Sequence, residues 1–214
     1  MARRLTREAL LDELDADLAW RRVELAAIRT TLNRAKGPAT DTAARAAVAL
    51  AYAHWEGYVV SAGRLLVRYV RDLRLTYAEL SDCYLALCLA GRLLQADLSA
   101  RRIQRHLDLV AVLRNEGAQA AFPSPESAVQ AGGNLKSEKF ADIVSRLGIE
   151  AAPFELQYRW IDGELLRRRN SIAHGSNGHT DVVFADEAIE RVAGLVDAFR
   201  SASQNAAVLE VFRR

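Results

Sequence analysis

The most constraining feature of this sequence is an unbroken helical repeat of apolar residues between positions 48 and 69. Apolar side chains recur at alternating steps of four and three residues, at Val48, Tyr52, Trp55, Val59, Ala62, Leu66 and Tyr69. This spacing returns to one face of an α-helix at every turn, whereas a strand would need a repeat of two. It therefore predicts a long helix with a broad buried face, which other long helices must cover.

Comparable repeats along the rest of the chain predict an all-α bundle of long antiparallel helices. The helices are expected over residues 5–34, about 40–70, 76–95, 99–116, 137–148, 153–174 and from 186 past 199. The Lys36-Gly37-Pro38 break separates the first two, and Thr40 or Asp41 is expected to cap the second. The short apolar run over 181–184 is interpreted as loop.

Length and composition indicate one domain. A chain of 214 residues can bury a substantial core, and we expect a single domain over residues 1–214. Pro123, Pro125, Gly132 and Gly133 predict a flexible loop over residues 118–136. No apolar run reaches the roughly 20 residues that span a bilayer, and no signal peptide pattern opens the chain. The sequence thus predicts a cytoplasmic protein without a membrane partner.

One short segment carries the chemistry. Arg169, Asn170 and His174 lie within one and a half helical turns, directly before Gly175. Arginine can neutralise a phosphate with a planar fork of donors, and histidine moves protons near neutral pH. The four histidines and two cysteines show no metal-ligand spacing, and Gly132-Gly133 lacks the lysine of a P-loop. The segment predicts phosphodiester chemistry on RNA without a metal or cofactor.

The helix that carries this segment has two distinct faces. Phe154, Ile161 and Leu165 project towards the core, whereas Gly163 and His174 project to the opposite side with Leu156, Asn170 and, on its flank, Leu166. Because Arg169 points about 100° away from Asn170, one chain cannot easily aim arginine and histidine at one phosphate. We therefore expect a two-fold homodimer that joins two copies of this face in a shared groove.

Several further residues are candidates for supporting or RNA-binding roles. Glu56 lies at the edge of the core stripe and could hold a motif-helix arginine or form a structural salt bridge. The basic candidates are Arg101, Arg102, Arg105, Arg167 and Arg168. Alternatively, these arginines could simply lie on solvated helix faces and pair with acidic neighbours. The motif could likewise be an ordinary last helical turn, where a cation is favourable. His54 is expected at an exposed or boundary position.

Together these segments resemble the HEPN superfamily, whose members carry an Arg-x(4–6)-His motif, often with asparagine after the arginine. Residues 169–175 fit that pattern with a four-residue spacer, and residues 51–58 (AYAHWEGY) resemble a segment of its MAE and RiboL-PSP groups. Residues 20–25 and 134–137 are similar to those groups too, and the resemblance spans about residues 10–200.

The resemblance implies an α-helical homodimer with the motif at its interface and a metal-independent endoribonuclease activity. Arg169 and His174 would be catalytic and Asn170 a supporting polar group. RNA would supply its own 2′-hydroxyl nucleophile, so the products would end in a 2′,3′-cyclic phosphate. Such proteins commonly act as toxins in toxin–antitoxin or phage-defence systems, which makes a cognate antitoxin a possible partner. The alternatives are a non-catalytic HEPN module that binds a nucleotide, RNA or a partner protein, and a purely structural helical partner within a larger complex.

Overall fold

The computed structural model describes residues 4–98, 103–115, 121–176 and 178–214, which form nine α-helices and no strand. The helices are α1 (Arg7–Arg34), α2 (Pro38–Leu73), α3 (Asp82–Leu98), α4 (Ile103–Arg114), α5 (Pro125–Ala128), α6 (Ser137–Arg146), α7 (Ala152–Trp160), α8 (Arg167–Ala173) and α9 (Val182–Val208). A 3₁₀ turn spans Tyr77–Glu79, and a π-helical segment, Ile161–Leu166, joins α7 to α8. The predicted all-α class is confirmed. No helix in the described ranges is long and apolar enough to cross a membrane.

The three longest helices, α1, α2 and α9, form the centre of the bundle. Across α1 and α9, Arg22 pairs with Asp197 at 2.7 Å and Arg29 with Asp186 at 2.5 Å, so the two helices run antiparallel. Between α1 and α2, the Tyr58 hydroxyl donates to the carbonyl of Leu14 at 3.3 Å. The expected arrangement of long antiparallel helices is confirmed.

Two helix starts differ from the sequence prediction. Helix α2 begins at Pro38, ahead of Thr40 and Asp41, after Gly37 turns the chain at φ 59°. Proline fits the first helical turn because its fixed φ suits the helix and its missing N–H has no partner there. Helix α9 begins at Val182, where the Asp181 carboxylate accepts from the Val183 N–H at 3.0 Å. The 181–184 run is therefore a capped helix start and not a loop.

A cluster of aromatic rings fixes the later helices against the centre. The Phe140 ring of α6 lies 4.9 Å from Trp55, 5.0 Å from Phe154 and 5.7 Å from Phe199, measured between ring centroids. These four side chains are fully buried. Because they join α6 and α7 to α2 and α9, the chain that leaves α7 towards the motif is held alongside α2.

The motif helix is interrupted by its π-helical segment. Bonds from i to i+5 place more residues in a turn than an α-helix does, so side chains beyond the segment are rotated from their expected faces. Leu165 and Leu166 are consequently both buried, and the prediction that placed Leu166 on the flank of the opposite face is wrong. The segment also presents Asp162, whose carboxylate accepts from the Ser137 N–H at 2.8 Å and caps α6.

The segment predicted as a flexible loop over 118–136 packs against α2 where the structure describes it, from residue 121. The Ala121 N–H donates to the Leu75 carbonyl at 2.7 Å, and α5 follows. Val129 and Leu135 are fully buried, and a side chain at Gly63 of α2 would meet Val129 at 3.1 Å. Prolines and glycines here shape a compact connection and do not leave it unpacked.

Candidate functional site

Arg169 is held in place by three side-chain contacts. Its guanidinium donates to the Asn170 side-chain oxygen at 2.8 Å and to the Gly133 carbonyl at 2.9 Å. The same group lies over the ring of Tyr52, 4.4 Å from its centroid. No described carboxylate pairs with it. Neutral partners therefore fix its position while its positive charge stays available to an anion.

Tyr52 links Arg169 to two other elements. Its hydroxyl donates to a Glu56 carboxylate oxygen at 2.5 Å and accepts from the Leu135 N–H at 2.6 Å. Burial, followed by the bond to Glu56, raises the pKa of the Tyr52 hydroxyl, which stays protonated at neutral pH. The tyrosine is thus a fixed hub between α2, the 133–135 segment and the motif arginine.

Asn170 supports the arginine and does not orient the histidine in this chain. Its side-chain oxygen accepts from Arg169, and its amide donates to the Asn134 side-chain oxygen at 3.4 Å. Only the backbone connects it to His174, whose N–H donates to the Asn170 carbonyl at 3.0 Å. The amide therefore ties the motif helix to the 133–135 segment.

His174 lies at the C-terminal cap of α8 with its side chain exposed. No hydrogen bond or ion pair from a described residue reaches its imidazole. Gly175 follows at φ 72°, a left-handed conformation that glycine adopts without strain and that ends the helix. The imidazole is therefore exposed and makes no contact with the Arg169 side chain among the described hydrogen bonds.

A groove of about 580 Å³ opens beside Arg169. It runs along α2 and is lined by Ala49, Tyr52, Ala53, Glu56, Gly57, Val60, Ser61, Arg64 and Arg169. His174 is not among the lining residues. The structure therefore brings Arg169 and Glu56 to one groove, and His174 lies outside that groove.

The three consecutive motif-helix arginines have different surroundings. Arg168 pairs with Glu164 at 3.0 Å and stacks on the Phe184 ring at 4.0 Å. Arg167 donates to the Gly163 carbonyl at 2.7 Å and lies 3.4 Å from Glu164. Pairing with Arg168, then Arg167, lowers the pKa of Glu164. Two arginines thus share one carboxylate. Ion pairing on a solvated helix face, the alternative to RNA binding, therefore describes Arg167 and Arg168 better than Arg169.

The other basic candidates lie away from this groove or outside the described residues. Arg105 is exposed on α4 and lines a separate small cavity with Arg92 and Asp108. Arg101 and Arg102 fall outside the described residues. Among the described residues Glu56 pairs with no arginine, and Tyr52 connects it to Arg169. We posed two roles for Glu56, pairing with a motif-helix arginine or forming a structural salt bridge. The structure instead shows a hydrogen bond from the Tyr52 hydroxyl.

A polar cluster between α1 and α2 backs the groove. Buried Arg21 pairs with Asp17 at 3.0 Å and donates to the His54 carbonyl at 3.3 Å. A side chain at Gly57 would meet the Arg21 guanidinium at 3.0 Å, so glycine makes room for it. His54 is buried, in contrast to its predicted boundary position, and lies 3.0 Å from Glu24. Burial lowers its pKa, although Glu24 opposes that effect.

Sequence reasoning missed Tyr52, Gly133, Asn134 and Arg64 as site residues. Two of them lie in segments that already carried the family resemblance, residues 51–58 and 134–137. The resemblance was thus a usable signal, but the side-chain pairings that join these segments depend on the tertiary fold. Among the described residues, no group of three or more His, Cys, Asp or Glu side chains could hold a metal ion.

Comparison with known proteins gives one match. The family model described as RiboL-PSP-HEPN covers residues 16–205 of the 214. It spans α2, the 133–135 segment, the motif and most of α9. Searches of curated proteins and of solved structures returned no match.

Proposed function

The chain belongs to the RiboL-PSP-HEPN family, and from that premise we propose that it is a metal-independent endoribonuclease whose catalytic residues are Arg169 and His174. The observation that carries the proposal is the state of the motif. Arg169 is held by neutral partners with its charge unpaired, and His174 is exposed with an uncommitted imidazole. These are the groups that transesterification at a phosphodiester needs.

The proposed reaction is attack of the RNA 2′-hydroxyl on the adjacent phosphorus. The bond from the 2′-oxygen to phosphorus forms as the bond from phosphorus to the 5′-oxygen breaks, which leaves a 2′,3′-cyclic phosphate and a 5′-hydroxyl. His174 takes the proton from the 2′-hydroxyl, and the partner subunit's His174 gives one to the leaving oxygen. Arg169 stabilises the negative charge that builds on the phosphate oxygens, and Asn170 keeps the guanidinium in place.

This chemistry requires the proposed homodimer. Three features of the motif helix support a second copy packing on it. Leu156 is 91% exposed, Gly163 is exposed with open space where a side chain would project, and His174 is exposed at the C-terminal end of the helix. A self-complementary contact across this surface would bring two arginines and two histidines into one groove. A cytoplasmic toxin or phage-defence role, with an antitoxin partner, is proposed from the family resemblance alone.

The direct test is cleavage of a mixture of tRNA and mRNA in the presence of EDTA. Wild type is compared with Arg169→Ala and His174→Ala, and His179→Ala serves as a matched control because this exposed histidine lies five residues beyond the motif histidine. We expect wild type and the control to cut, and each motif variant to lose about a hundredfold or more in rate. Cleavage by His174→Ala at the wild-type rate would contradict the assignment. Folded, dimeric wild type that binds RNA without cutting it would favour the non-catalytic module.

A further inference from the structure

We propose that the groove beside Arg169 binds a nucleobase and that Glu56 selects guanine there. The proposal rests on the proposed function in one respect, because it places this base next to the phosphate that Arg169 would hold. It concerns binding and not the chemical step, so it can be tested whether or not the protein cuts RNA.

Small residues line part of the groove and leave room for a planar base. Along α2 it is lined by Ala49, Ala53 and the backbone of Gly57, none of which projects a long side chain into it. Behind Gly57 the Arg21 guanidinium fills the space that a side chain would need. The volume of about 580 Å³ accommodates a base together with part of its sugar.

Arginines at two places along the groove suit the phosphates of a nucleotide strand. Among the described residues neither arginine pairs with a carboxylate, and Arg64 donates to the Val129 carbonyl at 3.0 Å. Arg64 lies eight residues beyond Glu56 on α2, a helical rise of roughly 12 Å. Phosphates on either side of a bound base would therefore each meet a cation, while planar guanidinium groups can also stack on bases.

Among the described residues, Glu56 is the only carboxylate that lines this groove, and binding of phosphate would not require a carboxylate there. A negative charge between two arginines weakens attraction for phosphate unless it binds a donor on the ligand. Its only described hydrogen bond comes from Tyr52, whereas a carboxylate can accept about four. Among the RNA bases, guanine alone presents two adjacent donors, N1–H and the N2 amino group, to a carboxylate. Reading of such an edge is the usual basis of single-strand recognition.

Tyr52 fixes the geometry that this recognition needs. The tyrosine holds Glu56 through its hydroxyl and Arg169 through its ring, and the Leu135 N–H fixes the hydroxyl in turn. The base-reading carboxylate and the phosphate-binding arginine therefore keep one relative position before any ligand arrives, which lowers the entropic cost of binding.

The test is the affinity of the 3′-monophosphates of guanosine, inosine and adenosine for the intact protein by calorimetry. Inosine keeps N1–H and lacks the amino group. We expect guanosine to bind about tenfold more tightly than adenosine, with inosine between them. Glu56→Gln should bring the guanosine-to-adenosine ratio close to one. Glu13→Gln, which removes an exposed glutamate of α1, should keep the wild-type ratio.

Three results would overturn the proposal. One is equal affinity of wild type for the three nucleotides, and another is no binding of any of them. The third is an equal gain in affinity for all three in Glu56→Gln, which would mean that Glu56 only repels phosphate. If a guanine preference is found and no RNA is cut, the base site stands and the nuclease proposal fails. If RNA is cut and no preference is found, the nuclease stands and the base site fails.

Discussion

At the scale of single residues, the site depends on one hydroxyl. Removing it in Tyr52→Phe keeps the ring under Arg169 but leaves the buried Leu135 N–H without its acceptor. We expect a loss of about 1–3 kcal/mol in the free energy of unfolding, measured by urea denaturation. Tyr84→Phe is the matched control, because the buried Tyr84 hydroxyl has no hydrogen-bond partner among the described residues. Equal losses in the two variants would contradict the role given to Tyr52.

The buried histidine predicts a pH dependence of stability. Burial lowers the pKa of His54 below its unfolded value of about 6.5, so the unfolded chain binds a proton that the folded chain resists. Its contribution is therefore present above that unfolded value and is lost as pH falls through it. We expect wild type to lose more stability than His54→Gln between pH 7.5 and pH 5, measured as urea midpoints. A wild-type loss no larger than that of His54→Gln would contradict the burial of a neutral imidazole.

The sequence predicted which residues form the motif, but not the contacts that these residues make. The motif itself identified Arg169, Asn170 and His174, because residue types and spacing are explicit in a sequence. Their contacts were not, since Gly133 and Tyr52 are remote along the chain and meet Arg169 only in the fold. His54 was misplaced because one polar residue beside an apolar stripe can lie on either side of the boundary.

At the scale of elements, helical periodicity predicted the long helices well and the motif helix less well. An amphipathic repeat fixes which face of α1 or α2 is buried, and packing confirms that choice. The π-helical segment over 161–166 gives no comparable signal in the sequence, yet it rotates everything beyond it and buries Leu165 and Leu166 together. Compact loops such as 121–136 were likewise missed, because turn residues reveal a break in regular structure but not how tightly the break packs.

The exposed side of the motif helix predicts how copies of the chain associate. Leu156→Arg should weaken self-association, because it places a charge in the proposed contact. The free energy of unfolding of the chain should stay within about 0.5 kcal/mol of the wild-type value. Val23→Arg on α1 is the control, since Val23 is 71% exposed and lies outside that contact. Sedimentation equilibrium over a micromolar concentration range reports the dimer. Strictly monomeric wild type, or equal weakening by both variants, would contradict the interface.

At the scale of the whole molecule, the bundle explains how remote segments form one site. Helices α1, α2 and α9 make the frame, and the Phe140 cluster fixes α6 and α7 against it. The motif is thereby held beside α2, where Arg169 meets Tyr52. In the single chain Arg169 lines the groove along α2 and His174 does not, and the complete nuclease is proposed as a property of the dimer.

The measurement that tests this account most directly uses one synthetic RNA with a mapped cleavage site and a matched RNA that carries a single 2′-deoxy sugar on the 5′ side of that bond. With EDTA present, we expect the all-RNA strand to be cut to a 2′,3′-cyclic phosphate end and the substituted bond to survive. His174→Ala should cut neither strand at that bond. Cleavage of the 2′-deoxy bond, or cleavage only after a metal ion is added, would contradict transesterification by Arg169 and His174.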